Sequence, residues 1–238
     1  MPSTGCSAGS VKALRVNWRK RGNSMKVMLL NGSSRKNWNT HQLLKEAERG
    51  AQEAGAQTEL IHLFDLDYTD CRACFACKLR GNRTNGICAV RDDLRPVLEE
   101  IHEADAVIIG TPIYYGNLTG EAASVIHRML FPTMHYEDDN THDMLLPIKK
   151  KCGLIVTSNA KSEFISSGYG AIFESTAQMI GRFFGSCETL YACDTCQFSD
   201  YSKYYAGMFD EAEKVEHWER QFPVDLHNAF ELGRRLCQ

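Results

Sequence analysis

The sequence lacks three features that would assign it to a broad class at once. It has no run of about 18 apolar residues, which a transmembrane helix would need. It has no strong net charge, and the formal value of -3 at pH 7 argues against a nucleic-acid partner. It has no internal repeat or low-complexity block. We therefore expect a globular, cytoplasmic protein that binds neither membranes nor nucleic acid.

Residues 1–24 also lack acidic side chains, which sets them apart from the rest of the chain. They have no apolar stretch of the kind that a secretory signal needs. Five basic residues lie there instead: Lys12, Arg15, Arg19, Lys20 and Arg21. We interpret residues 1–24 as a disordered basic extension and residues 25–238 as the folded domain. The sequence leaves open whether translation starts at Met1 or Met25.

Short apolar segments alternate with amphipathic segments along residues 25–238. The apolar segments predict five strands: Lys26–Leu30, Thr58–Phe64, Ala106–Gly110, Lys150–Ser158 and Cys187–Ala192. Helical spacing predicts five helices: Thr40–Ala54, Asp92–His102, Leu118–Leu130, Ala171–Phe184 and Asp225–Cys237. This order predicts an α/β fold, a doubly wound parallel sheet with inserts at about 65–91 and 131–147. Such sheets bind ligands outside the carboxyl ends of their strands.

The loop after the first predicted strand, Asn31–Thr40, has the composition of a phosphate site. Gly32 permits close approach of the backbone to a ligand. Polar and charged donors follow it: Ser33, Ser34, Arg35, Asn39 and Thr40. The next helix starts near the end of this loop, so its N–H groups and dipole favour an anion. The loop lacks both G-x-G-x-x-G and the full Walker A pattern, which leaves a monophosphate site or a capped polar turn.

The loop after the third predicted strand, Gly110–Asn117, combines turn-forming residues with aromatic rings. Pro112 stiffens the turn, and Gly116 allows unusual dihedral angles. Between them lie Ile113, Tyr114 and Tyr115. By itself this segment is a tight strand-to-helix turn with two surface tyrosines. The loop after the fourth strand, Thr157–Ala160, would approach the same site.

These two loops resemble the NADPH-dependent FMN reductase family, which has a flavodoxin-like fold. The resemblance rests on Gly32-Ser33-Ser34-Arg35 with Asn39-Thr40, and on the pattern G-T-P-I-Y at Gly110–Tyr114. It implies a five-stranded sheet in the order 2-1-3-4-5 and an FMN cofactor. The FMN phosphate would bind Ser33, Arg35, Asn39 and Thr40. The isoalloxazine ring would bind the second loop, at Pro112, Ile113, Tyr114, Tyr115 and Gly116.

Four of the ten cysteines lie close together in the first insert: Cys71, Cys74, Cys77 and Cys88. Four thiolates with two-residue gaps suit a [4Fe–4S] cluster or zinc, and a loop of free thiols is the alternative. The motif resembles that of the iron–sulfur flavoproteins, a branch of the same family, although its final gap of ten residues is longer than usual. A second pair, Cys193 and Cys196, is interpreted as incidental.

The resemblance implies an FMN-dependent oxidoreductase that accepts electrons from NAD(P)H and passes them to an unknown acceptor. Because the cofactor carries this chemistry, no catalytic side chain is predicted. A homodimer or homotetramer is expected by the same resemblance. One alternative is an electron carrier in which a [4Fe–4S] cluster beside FMN takes electrons from a ferredoxin-type donor. A non-redox binding module on the same fold is the other alternative.

Overall fold

The computed structural model describes residues 24–81, 84, 86–134 and 149–238. Residues 1–23 of the predicted basic extension lie outside the described residues. Residues 135–147 of the predicted second insert also lie outside them. Both predictions therefore stay untested. Within the described ranges, no helix is both long enough and apolar enough to cross a bilayer.

Five parallel strands form one sheet in the order β2-β1-β3-β4-β5, which confirms the predicted topology. Every neighbouring pair of strands is parallel. The strands are β1 (Lys26–Asn31), β2 (Gln57–His62), β3 (Ala106–Pro112), β4 (Lys150–Thr157) and β5 (Gly185–Ala192). The order changes direction between β1 and β3, so the loops that leave these two strands open a crevice at the carboxyl edge.

Six α-helical segments accompany the sheet in the described residues. They are α1 (Asn39–Glu53), α2 (Leu94–Glu103), α3 (Gly120–Leu130), the single turn α4 (Ser162–Phe164), α5 (Gly170–Phe184) and α6 (Glu211–Leu236). Helix α2 begins at Leu94, two residues after the predicted start at Asp92, and the Asp92 carboxylate pairs with Arg128.

The predicted helix Asp225–Cys237 is only the C-terminal half of α6. The helix begins at Glu211, where the side chain of Asp210 caps it by accepting a hydrogen bond from the Glu213 N–H. It continues through Pro223, a residue that ordinarily interrupts a helix. The negative charges of the acidic residues in its first turn interact favourably with the positive end of the helix dipole, which stabilises this polar half.

Alternate strand residues face opposite sides of the sheet, and each side packs on its own helices. Met28 and Leu30 pack in the core beneath α2, α3 and α5, while Val27 and Leu29 pack beneath α1 and α6. Helix α6 also lies directly on α1, since a Cβ atom at Gly50 would come 1.9 Å from the Phe230 carbonyl oxygen. Helices therefore cover both faces, as predicted.

Candidate functional site

A cavity of about 290 Å³ opens at the carboxyl edge of the sheet. Its walls are the loops that leave β1, β3, β4 and β5. All nine residues predicted to bind the cofactor line it: Ser33, Arg35, Asn39, Thr40, Pro112, Ile113, Tyr114, Tyr115 and Gly116. Their assembly follows from topology, because parallel strands bring the loops at their carboxyl ends together.

Side chains order the loop between β1 and α1. The buried Asn31 side chain accepts a hydrogen bond from the Ser33 N–H at 3.0 Å, and the Ser33 hydroxyl accepts one from the Arg35 N–H at 3.2 Å. The Thr119 hydroxyl donates to the Gly32 carbonyl oxygen at 2.8 Å, which ties this loop to the start of α3. The loop is thus held in one conformation by its own polar groups.

The first turn of α1, which follows this loop, contains no acidic residue that would repel an anion. Its N-cap residue, Trp38, makes no side-chain capping bond in the described structure. The N–H groups of a first helical turn have no partner within the helix, and the helix dipole makes this end favourable for an anion. The Arg35 guanidinium lies nearby, with its central carbon 5.0 Å from the centre of the Trp38 ring. The charge and donors required by a phosphate are therefore in place.

The second loop is a tight two-residue turn. Tyr114 and Asn117 exchange two backbone hydrogen bonds, of 2.9 and 3.0 Å. The two residues between them have positive φ, +50° at Tyr115 and +79° at Gly116. A tyrosine with positive φ is uncommon, and such residues concentrate at functional sites. The ring of Tyr169 packs against Gly116, where a Cβ atom would come 2.8 Å from the tyrosine ring.

The loop after β4 contributes Thr157, Ser158, Asn159 and Ala160, as the sequence predicts. Thr40 and Thr157 join their hydroxyls at 2.7 Å and so connect this loop to α1. The Asn159 side-chain oxygen is buried, and no described group hydrogen-bonds to it. A buried acceptor without a partner is energetically costly.

A fourth wall, residues 195–197 after β5, was not predicted. Two side chains of the first loop, Trp38 and Asn39, donate to the Cys196 carbonyl oxygen at 3.0 and 2.9 Å. Arg35 donates to the Gln197 carbonyl oxygen at 2.6 Å. These contacts use the Cys196 backbone, so the interpretation of Cys193 and Cys196 as an incidental thiol pair stays untested. The acceptors are peptide groups, which leave no pattern in a sequence.

The four cysteines of the first insert differ in their surroundings. Cys74 is exposed and Cys71 partly exposed, whereas Cys77 and Cys88 are buried. Burial raises the pKa of the Cys77 thiol. Across the ranges that the structure describes, no three histidine, cysteine or acidic side chains are arranged to hold a metal ion. The roles of these four cysteines as metal ligands therefore stay a prediction.

Three cations fix the backbone of the cysteine segment, residues 65–91. Arg95 donates to the Cys88 carbonyl oxygen at 2.6 Å, and Lys78 donates to the carbonyl oxygens of Phe131 and Met134. The third cation, Arg128, is the largest fully buried side chain among the described residues. Sequence reasoning missed these contacts because their acceptors are backbone carbonyl groups, which leave no pattern in a sequence.

Arg128 makes four hydrogen bonds at the base of this segment. It binds Asp92 in a two-pronged ion pair, with N–O distances of 2.5 and 2.9 Å. It also donates to the Thr69 carbonyl oxygen at 3.0 Å and to the Val90 carbonyl oxygen at 3.3 Å. Because these two carbonyls flank the four cysteines in sequence, Arg128 closes the segment into a loop.

Two curated relatives carry the name iron–sulfur flavoprotein. One, from Archaeoglobus fulgidus, is 41% identical over 104 residues, which cover 44% of this chain and 48% of that protein. The other, from Methanocaldococcus jannaschii, is 35% identical over 104 residues and covers 44% and 51%. The matched region thus spans about half the length of these relatives. These matches confirm the resemblance to that branch.

A solved structure shares the fold over nearly the whole chain. It is an FMN-dependent NADH-azoreductase from Bacillus anthracis in complex with FMN, with a TM-score of 0.59 and 14% identity. The alignment covers 90% of this chain and 100% of the azoreductase. Residues 25–162, more than half of the chain, match the family described as NADPH-dependent FMN reductase. With its flavodoxin-like sheet and its cavity at the switch in strand order, the chain belongs to the NADPH-dependent FMN reductase family.

Proposed function

We propose that the cavity binds FMN and that the protein is an oxidoreductase that accepts electrons from NAD(P)H. The observation that carries this proposal is the meeting of all nine predicted residues in one cavity at the switch in strand order. The loop before α1 would take the phosphate, with Ser33, Arg35, Asn39 and Thr40 as donors. The turn from Pro112 to Gly116 would take the flavin ring.

The chain's own residues would bind and orient the cofactor. The backbone N–H groups of Tyr115 and Gly116 would donate to polar atoms at the ring edge. Those of Ile113 and Tyr114 already donate to the Thr157 and Asn117 carbonyl oxygens. Bound FMN supplies acceptance of a hydride from NAD(P)H and delivery of electrons to the acceptor. No protein acid or base is assigned to this reaction.

A second candidate is an electron carrier with a [4Fe–4S] cluster beside FMN. The observation that favours it is that both reported relatives are named iron–sulfur flavoprotein. The chain offers four thiols of suitable chemistry, Cys71, Cys74, Cys77 and Cys88. Their described arrangement does not bring three of them together, so no electron-transfer step is derived through a cluster.

The two candidates are separated by purifying the full chain without air and measuring its flavin, its iron and its visible spectrum. Stoichiometric FMN whose absorbance is bleached by NADH or NADPH supports the reductase. Iron with broad visible absorbance beneath the flavin bands, reduced by ferredoxin and not by NAD(P)H, supports the carrier. A colourless protein that takes up no added FMN contradicts both and supports a non-redox binding module.

Two further expectations belong to this proposal. The family resemblance favours a homodimer or homotetramer, which light scattering would measure. A cytoplasmic location is also expected, and fractionation of cells would test it. The FMN proposal is independent of both, since it rests on the cavity and on the family to which the chain belongs.

A further inference from the structure

Lys214, on the first turns of α6, is a buried cation beside the cavity. Its side chain is 6% exposed and forms an ion pair with Asp194 at 2.6 Å, where the aspartate side chain is 10% exposed. Lysine is rarely so buried unless its charge is paired. The pair therefore stands out against the exposed ion pairs on the surface of the same helix.

The Lys214 ammonium also donates to two backbone carbonyls that belong to different walls of the cavity. One is the Asn159 carbonyl oxygen at 2.6 Å, in the loop after β4. The other is the Thr195 carbonyl oxygen at 3.4 Å, in the segment after β5. Asn159 and Thr195 both line the cavity. The Lys214 ammonium group thus links the loop after β4 and the segment after β5 to each other and to α6.

Asp194, the anionic partner, has an unusual backbone. Its φ is +54°, in the left-handed region that residues other than glycine seldom adopt. A strained residue persists only where its surroundings hold it in place. Here the ion pair with Lys214 and a hydrogen bond from the Asp194 N–H to the Ala160 carbonyl oxygen, at 2.8 Å, both do so. His217 approaches the other carboxylate oxygen of Asp194 at 4.0 Å. The pair therefore adds a side-chain contact to the backbone hydrogen bonds that join this turn to the loop after β4, such as the one from the Thr195 N–H to the Ser158 carbonyl oxygen at 2.9 Å.

We propose that Lys214 is a positioning residue for FMN: by holding the Asn159 and Thr195 carbonyls together, it fixes two walls of the flavin cavity. This inference rests on the proposed function, because it takes FMN as the occupant of the cavity. Lys214 itself does not line the cavity. Its effect on FMN passes through the backbone it holds.

The chain provides a matched control. Lys161 forms an ion pair with Glu213, the residue before Lys214, at 2.7 Å. This pair also links the region after β4 to α6, but its side chains are 55% and 65% exposed. An exposed pair contributes little to stability. Lys161→Met therefore removes a lysine between the same two elements without disturbing the cavity walls.

The test compares the FMN dissociation constant and the visible spectrum of bound flavin in purified full-length variants. We expect Lys214→Met to weaken FMN binding by about tenfold, the equivalent of one lost hydrogen bond, and to shift the flavin bands. The double variant Lys214→Met/Asp194→Asn should behave likewise, without leaving an unpaired buried charge. Lys161→Met should bind FMN within about twofold of the wild type.

The outcomes separate the two claims. If the wild type binds FMN but the folded double variant matches its affinity and spectrum, the role of Lys214 is overturned and the proposed function stands. If the wild type binds no FMN, the proposed function fails before Lys214 is tested. Loss of affinity with a shifted flavin spectrum, absent from Lys161→Met, supports the positioning role, because a general loss of stability would not move the bands.

Discussion

The cavity and the cysteine segment are held in place in opposite ways. In the cavity, loops start at the carboxyl ends of strands, so the sheet itself brings them together. The described part of the cysteine segment, residues 65–91, is instead held by side-chain contacts with other elements: its own Lys78 reaches Phe131, and Arg95 and Arg128 reach into it from α2 and α3. The cavity should therefore survive the loss of single side chains better than the insert does.

The largest effect expected from this comparison is at Arg128. Arg128→Met leaves the Asp92 carboxylate without its partner and frees the Thr69 and Val90 carbonyls, and removing one partner of a buried ion pair costs about 3–5 kcal/mol. Denaturation in urea would measure this loss of unfolding free energy. Binding of FMN by the folded variant should change little, because the described hydrogen bonds of Arg128 all go to the cysteine segment and Asp92.

The matched control for Arg128 removes both charges. Arg128→Met/Asp92→Asn should recover part of the lost stability, because no charge is then left buried alone. A single variant as stable as the wild type, or one that loses FMN affinity while its fold is intact, would contradict the separation of the two regions.

The next effect concerns the phosphate end of the cavity. In the proposed complex Arg35 gives the phosphate a charge-assisted hydrogen bond, worth about 1.5–3 kcal/mol, so Arg35→Ala should raise the FMN dissociation constant about 10- to 100-fold. Titration of the apoprotein, followed by flavin fluorescence, would measure it. Lys36→Ala is the control, since Lys36 pairs with Asp65 at the surface and does not line the cavity. Equal effects of the two substitutions would remove Arg35 from the site.

The smallest effect tests the cysteines themselves. In protein stripped of metal, we expect iodoacetamide to modify Cys74 about tenfold or more faster than Cys77. Cys74 is exposed, whereas burial limits access to Cys77 and raises its pKa, which lowers the thiolate fraction. Mass spectrometry of the digested protein gives both rates. Equal rates in the stripped protein would show that the insert does not hold the described conformation.

Sheet order and the cavity were predictable because both follow from repeated local patterns. Strand and helix alternate along the sequence, and a parallel sheet places Ser33 and Tyr114 at the same edge although 81 positions separate them. The start of α6 was not predictable from hydrophobic spacing, since its first half is mostly polar and continues through Pro223. Helical periodicity is a weak signal where few residues are buried.

The side-chain contacts that join separate elements could not be predicted from sequence patterns. Arg128 and Asp92 lie 36 positions apart, and nothing in their spacing indicates an ion pair. Lys214 and Asp194 belong to a helix and to a loop whose packing depends on the whole sheet. The Cys196 carbonyl is a backbone group, present at every residue, so only the structure identifies it as an acceptor for Trp38 and Asn39.

The central claim is that the loop before α1 holds the phosphate of FMN. Its most direct test compares the affinities of the apoprotein for FMN and for riboflavin, which lacks the phosphate, by fluorescence titration under the same conditions. The first turn of α1 and the Arg35 guanidinium predict that FMN binds about 100-fold more tightly or more. Equal affinities for FMN and riboflavin would contradict the assignment of this loop.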